Sequence, residues 1–575
     1  MTRTRLFTAV LLIGLLFNPS ALRCQAVSGP LVVAGGWPEC TSLATWTRDV
    51  LRLDRVEQAS GTRQGISVYT WLRLFNRVAE GGMQHAWEGP PGEEAYVLDV
   101  HKHLFVYGWG YCDTQSRIFE ALWREWTGDS TSAYRVCRMN ERGGYHTMYR
   151  VRLDGSYGAF DPRFGFYLLD RDSPDARVLD WAGVGDDRSF ERNEKFRNRC
   201  RPFFEYAVTE KAGSLALDTV FFESEPEWIA AGKKPWQVFN DPYHLMGTAY
   251  HDMNWRLPRG TVIERYWDNS ARKFYLPLNR GTYEETPALA SGRFYRVTEK
   301  MFVGNWPRFD PNYLRAEPYL AVVPADEGYP EQMAGDRTIG QAWGRLSWEA
   351  PLDGEGYLDA VAASHNMVHQ ARAPFLRPAS ASVPGEVVFD FYCPFVLVDG
   401  VFSGELAAAG PEDRVSLEFR AMLPKPLDRG EADEWTGWRE IASGPGAFEA
   451  FLGRDSYERH LATVHGRYRF QLRLKAYCTG QAEAVGLKAL AFKCFFETGI
   501  MSIPQIFAGE NALAFKVNDQ QAVKAPIKFT YNYQTRDGER TSRTVIDPGA
   551  FSDNRASFVV GAPGLVRCNS LVIEY

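Results

Sequence analysis

Several signatures are missing from this 575-residue chain, and each absence removes a class of function. Its 65 Lys and Arg are outnumbered by 71 Asp and Glu, for a net charge of −6. It therefore lacks the basic excess with which proteins neutralise nucleic-acid phosphates or acidic membrane surfaces. The 9 cysteines contain no Cys-x-x-Cys pair and are widely and irregularly spaced, which argues against a zinc ribbon or a small disulfide scaffold. No Gly-x-Ser-x-Gly supplies a serine nucleophile's elbow, and no glycine loop ending in Lys-Ser/Thr cradles a phosphate. No internal repeat or low-complexity tract is present. With 45% apolar residues, 17 Trp and 27 Tyr, the chain is instead that of a globular protein long enough for about three or four domains.

Arg3 and Arg5 precede an apolar run from Leu6 to Phe17, followed by the small residues Ser20, Ala21 and Ala26. This pattern predicts a secretory signal peptide over 1–26, since the run is too short for a membrane anchor. Cys24 follows Arg23, a poor fit to lipid attachment. Removal of three arginines takes the charge from −6 to −9. The expected location is secreted, periplasmic or at the cell surface, and no later run is apolar enough to span a bilayer. Export places Cys40, Cys112, Cys137, Cys200, Cys393, Cys478, Cys494 and Cys568 in an oxidising compartment, where disulfides can form, and their spacing leaves the pairing open.

Apolar residues at Val68, Trp71, Leu72, Leu74, Phe75 and Val78 predict a helix over 67–78, stopped by Glu80-Gly81-Gly82. Ile118, Phe119, Leu122 and Trp126 predict another after Cys112, with Gly128 as its cap. The period then changes to two, predicting strands over 133–139, 145–153 and 156–161. From about residue 245, alternating runs such as 261–266, 387–392, 415–420, 468–474 and 527–533 lie between Gly/Pro/Asp turns, as in antiparallel sandwiches.

The richest stretch is Tyr107-Gly108-Trp109-Gly110-Tyr111-Cys112-Asp113, a glycine-punctuated loop leading into a helix. A thiol at a helix N-terminus meets unpaired N–H groups and the positive end of the dipole. Both favour the thiolate and an oxyanion developing beside it. A cysteine nucleophile needs a base, and His146 begins the strand 145–153. If Asp154-Gly155 is a two-residue hairpin turn, Leu153 faces Ser156 and Met148 faces Asp161. Asp161 then shares a face with His146 and lies within reach to orient the imidazole.

At these residues the sequence resembles the transglutaminase-like superfamily. That family's pattern is a cysteine opening a helix, a histidine about 35 residues on in a strand, and an aspartate about 15 later. Cys112, His146 and Asp161 follow that order, with Tyr145-His146-Thr-Met-Tyr-Arg-Val and Gly158-Ala-Phe160-Asp161-Pro162 as the matching segments. The resemblance covers roughly 65–182 and departs from many members at Thr147-Met148, where an aromatic-x pair is usual. It implies an α+β, papain-like core in which the Cys-bearing helix packs on an antiparallel sheet. Cys112, His146 and Asp161 would be its catalytic triad, acting on protein or peptide amides without cofactor or metal. Trp109, Tyr111, Gln84 and Trp87 are further candidates for oxyanion or substrate contacts.

The expected organisation is a signal peptide over 1–26, a catalytic domain over 27–182, and a linker or helical extension over 183–245. A β-rich segment (246–340), a jelly-roll-like β-sandwich (341–500) and a small β domain (501–575) follow. His101 and His103, and His365 with His369 at helical spacing, are histidine pairs without an evident third metal ligand. Trp435 and Trp438 read either as sandwich core or as a sugar-binding surface for a cell-surface glycan. A catalytically silent extracellular scaffold or carbohydrate-binding protein is therefore the alternative to a cysteine hydrolase or acyltransferase.

Overall fold

A computed structural model describes residues 26–29, 32–78, 87–88, 95–110, 112–139, 145–161, 166–167, 169–170, 175–180, 237–240, 249–267, 274–275, 320–321, 339–341, 343–423, 434–453, 461–499 and 502–575. The expected signal peptide and most of the expected linker lie outside these residues.

Polar caps and apolar periodicity set the helices. Ser42 accepts the N–H of Thr45 at 3.1 Å and opens the helix Leu43–Leu53. Ser60 does the same for Arg63 at the start of Gly61–Phe75. That second helix begins six residues before the predicted 67 and ends at Phe75 rather than Val78, because Ser60 and the docking of its first turn fix the start ahead of the apolar face. Cys112–Thr127 is the third α-helix among the described residues, and Gly128, at φ 66°, follows it as expected.

The predicted strands form as Ala133–Met139, Tyr145–Leu153 and Ser156–Asp161. They are neighbours in a five-stranded antiparallel sheet that Phe166–Tyr167 and Gln237–Asn240 complete at its edges. Asp154 and Gly155 form the hairpin turn at φ 51° and 86°. Positive φ at both central residues matches the twist of the flanking strands. Leu153 pairs with Ser156, and the register runs unbroken to Tyr149 opposite Phe160.

Helix and sheet meet through aromatic rings. Phe119 stacks on Tyr149 at 4.2 Å between centroids and lies 5.6 Å from Phe160, while Tyr69 of the preceding helix lies 5.1 Å from Phe160. Glu120, on the buried face of the Cys112 helix, takes Arg124 at 2.7 Å and Arg135 of the sheet at 3.3 Å.

From residue 255 the described chain is almost wholly antiparallel β, as the alternation predicts. Thr261–Tyr266 and Ile527–Thr535 show strict in-out burial. The large sheet turns a corner in Gly385–Ala407, which pairs with Arg467–Tyr477 in its first half and Gly486–Glu497 in its second. Register shifts at Tyr392/Leu397 and Leu397/Asp399 mark the bend. Trp348, Phe389, Phe391, Phe470 and Phe492 pack beneath it, with Phe391 at 4.8 Å from both Trp348 and Phe492. Among the described residues no helix is long and apolar enough to cross a membrane.

Strand pairing ties the ends of the chain together. Val27–Gly29 pairs with Trp255–Leu257, and Val32–Ala34 pairs with Gly509–Lys516. The pairings cross every boundary that composition suggested after residue 26.

Candidate active site

Cys112 is the first residue of its helix, and its thiol is 3% exposed and free of any disulfide. The loop before it is held from behind. Gly108 adopts φ 67°, and its N–H donates to His103 O at 3.1 Å. Trp109–Gly110 forms a short parallel pairing with Arg77–Val78. Gly110 has no room for a side chain, since a Cβ there would come within 2.5 Å of Thr114. Within the helix, Ser116 Oγ donates to Cys112 O at 2.7 Å, and Gln115 Nε2 donates to Asn76 O at 3.0 Å. The helix start is thus fixed by Asn76, directly after the helix 61–75, and by its own first turn.

The backbone of the other two triad candidates is set by the hairpin. His146 pairs with Arg138, and Asp161 pairs with Phe166. Thr147, Tyr149, Val151 and Leu153 are buried on the parity that the helices cover, and Met148, which shares the alternate parity with position 146, is buried as well. The side chains of His146 and Asp161 lie outside the described residues, as do those of Trp87 and Trp109, and Gln84 and Tyr111 entirely. Only the backbone pairings of Trp87 with Tyr96 and Trp109 with Arg77 are described.

The segment Lys102–Tyr107, just ahead of the cysteine loop, is a π-helix. Helices of this kind are rare and concentrate at functional sites. Lys102 Nζ contacts Glu88 Oε2 at 2.5 Å, and Glu88 Oε1 accepts from Tyr107 Oη at 2.7 Å and Tyr468 Oη at 2.6 Å. Burial opposes ionisation of Glu88, but Lys102 and the two tyrosine donors outweigh it and hold the carboxyl below its ordinary range. Burial and the neighbouring Glu88 push both tyrosines well above theirs, so both remain donors. Sequence reading did not single out this cluster. Glu88 and Tyr468 are 380 positions apart, and no local pattern links them.

His101, His103 and His369 each meet a backbone carbonyl. His101 Nδ1 lies 3.0 Å from His251 O and His103 Nε2 lies 2.6 Å from Val97 O. Burial, with Arg117 nearby, lowers His103 to about 4. His365 and His369 sit on the separate strands Val361–His365 and Met367–His369, so their spacing is not helical. The turn at Asn366, φ 45°, divides them. Among the described residues no group of three or more His, Cys, Asp or Glu is placed to hold a metal ion.

Trp435 and Trp438 are half-buried on the sheet surface, not in the core. Arg420 is stacked on both, at 4.6 and 4.3 Å, with Arg469 on Trp435 at 5.3 Å and Arg473 on Trp438 at 4.1 Å.

No family model and no curated protein matches this chain. Among solved structures, a calcium-binding mutant of Bacteroides uniformis β-glucuronidase 2 aligns at 10% identity and TM-score 0.12, over 32% of this chain and 22% of its own. A Bacteroides fragilis protein provisionally described as a β-galactosidase aligns at 11% identity and TM-score 0.12, over 31% and 28%. A Parabacteroides distasonis protein provisionally described as secreted aligns at 10% identity and TM-score 0.15, over 40% and 90%. The chain therefore spans less than a third of the first two structures, and at such scores none of the three carries an argument.

Proposed function

We propose that this protein is an extracellular cysteine enzyme that acts on amide bonds through a thioester, with a transglutaminase-like, papain-type core ahead of sandwich or jelly-roll domains. The observation that carries the reading is Cys112 opening a helix behind a braced Gly108-Trp109-Gly110 loop, with that helix packed on the hairpin that bears His146 and Asp161. In the proposed reaction the Cys112 thiolate attacks the amide carbonyl. N–H groups of the helix's first turn face the tetrahedral oxyanion, and the C–N bond breaks as protonated His146 gives its proton to the leaving amine. Asp161 orients His146. Water, deprotonated by His146, or an amine then releases the acyl group and restores the thiol.

The test is amine release and amine incorporation on a mixture of protein substrates by the full chain, with Cys112→Ala as comparison. Activity in the wild type alone supports the reading, and release without incorporation makes the enzyme a hydrolase. Equal signals from both proteins sink it. A second reading, a scaffold whose β region binds a partner such as a cell-surface glycan, draws on the 3% exposure of Cys112. Buried thiols are common structural residues. Failure of iodoacetamide to label native Cys112 would favour it.

A further inference from the structure

The buried polar cluster of Glu88, Lys102, Tyr107 and Tyr468 lies just ahead of the cysteine loop in sequence, and it is shared between two distant parts of the chain. Tyr468 belongs to the strand Arg467–Tyr477 of the large β sheet. Tyr107 ends the π-helix and is followed directly by Gly108. Glu88 is 0% exposed, and Lys102, Tyr107 and Tyr468 are each 5% or less. The Lys102 ammonium also lies 4.7 Å from the centre of the Tyr468 ring.

More of the β region grips the same π-helix. Gly499 N and Ser502 Oγ donate to Phe105 O at 3.0 and 2.5 Å. Gly499 tolerates no side chain there, because a Cβ would meet Ser502 Oγ at 2.6 Å and Phe105 O at 2.9 Å. Asp99 takes Lys102 N on one oxygen at 3.0 Å, and Tyr250 N and His251 N on the other at 2.8 and 2.9 Å. On its far side the π-helix is joined to the cysteine helix. Asn76 Nδ2 donates to His103 O at 2.7 Å, and Asn76 O receives Gln115 Nε2, three residues beyond Cys112.

We infer that Tyr468, Glu88, Lys102 and Tyr107 are positioning residues, through which the β region sets the loop 108–110 and the Cys112 thiol beyond it. The inference rests on the reading of Cys112 as a nucleophile. Its physical basis is that a buried ion pair contributes little net stability compared with apolar residues of the same volume, but demands one geometry from its donors. Three donors converging on one carboxylate fix the π-helix relative to the sheet, and a supporting shell of this kind holds a reactive group to within a fraction of an ångström. The β region is then part of the catalytic unit rather than an appended binding module.

The experiment measures the rate of Cys112 alkylation by iodoacetamide against pH in the full chain, which needs no substrate. Wild type is compared with Tyr468→Phe, Tyr107→Phe and Tyr531→Phe, the last a buried tyrosine of the same β region away from the cluster. The first two are expected to slow alkylation near neutral pH by about tenfold and to move its pH midpoint upward, with Tyr531→Phe at the wild-type value. Where an amide substrate is in hand, kcat falls with KM unchanged, as for a group that acts on the nucleophile. Wild-type alkylation with an unchanged profile in the folded Tyr468→Phe and Tyr107→Phe proteins overturns the inference alone. An unreactive Cys112 in the wild type overturns the nucleophile reading instead. If one variant fails to fold, the other decides.

Discussion

At the tip of the hairpin, Asp154 does two jobs with one side chain. Its backbone, at φ 51°, makes the turn. Its carboxylate accepts Gly61 N at 2.7 Å and both Thr62 N and Thr62 Oγ at 2.9 Å, capping the helix Gly61–Phe75 from 92 residues away. Partial burial works against the charge, but the N–H groups of Thr62 and Gly61 outweigh it and hold the carboxyl below its ordinary range. Its contribution is therefore complete above the unfolded pKa and disappears as pH falls through the lower folded one. Asp154→Asn keeps the turn and is expected to cost about 1 kcal/mol at pH 7. Urea denaturation at pH 7 and pH 2 checks this, with the difference from wild type vanishing in acid. His103 behaves in the opposite sense to a paired histidine. Lowered to about 4 by burial and Arg117, it stays neutral when folded. The unfolded chain takes up its proton first, so stability drains away between about pH 6.5 and 4. His103→Gln should flatten that part of the stability-against-pH curve, and an unchanged slope would refute the assignment.

The elements differ in how far local pattern decides them. The hairpin was legible because a period of two, an Asp-Gly turn and a buried face admit one register, and a slip of one residue would expose Tyr149 and Val151. The start of Gly61–Phe75 was not, since the docking site for its first turn is a remote aspartate. The π-helix was not legible either, because carbonyls such as Phe105 O are satisfied by Gly499 and Ser502, which no window of sequence around residue 105 contains. Trp435 and Trp438 illustrate a choice that only packing makes. They stack with Arg420, Arg469 and Arg473 on a half-covered surface, whereas Trp348, 1% exposed, lies among Phe389, Phe391 and Phe492. Trp438→Ala is thus expected to cost about 1–2 kcal/mol and Trp348→Ala about 3–5 kcal/mol. Chemical denaturation of both variants checks the order, and equal losses would place Trp438 in the core.

Over the whole molecule, the amino-terminal strands are held by the far end of the chain. Val32–Ala34 pairs with Gly509–Lys516, and Lys516 reaches Glu39 at 2.6 Å. Glu88 and the π-helix receive donors from Tyr468, Gly499 and Ser502. A fragment spanning 27–182 would expose these edges and leave the Glu88–Lys102 pair without Tyr468. Breaking one contact of a buried ionic cluster costs far more than the intact cluster contributes. The fragment is expected to lack the cooperative thermal transition of the full chain, measurable by calorimetry. A sharp transition of its own would show that residues 27–182 fold independently.

By itself the sequence determined the helix that Cys112 opens, the three strands after residue 132, the register of their hairpin and the β character of the described residues beyond 255. These follow from periodicity, turn chemistry and capping, all of which act over a few residues. Only the tertiary structure decided that His101, His103 and His369 donate to backbone carbonyls and that two tryptophans lie on a surface arginine stack. It alone joined the π-helix ahead of Cys112 to a tyrosine 380 positions from its carboxylate partner. Those choices depend on which buried polar groups meet across the fold, and burial forces each to find a partner wherever the chain supplies one.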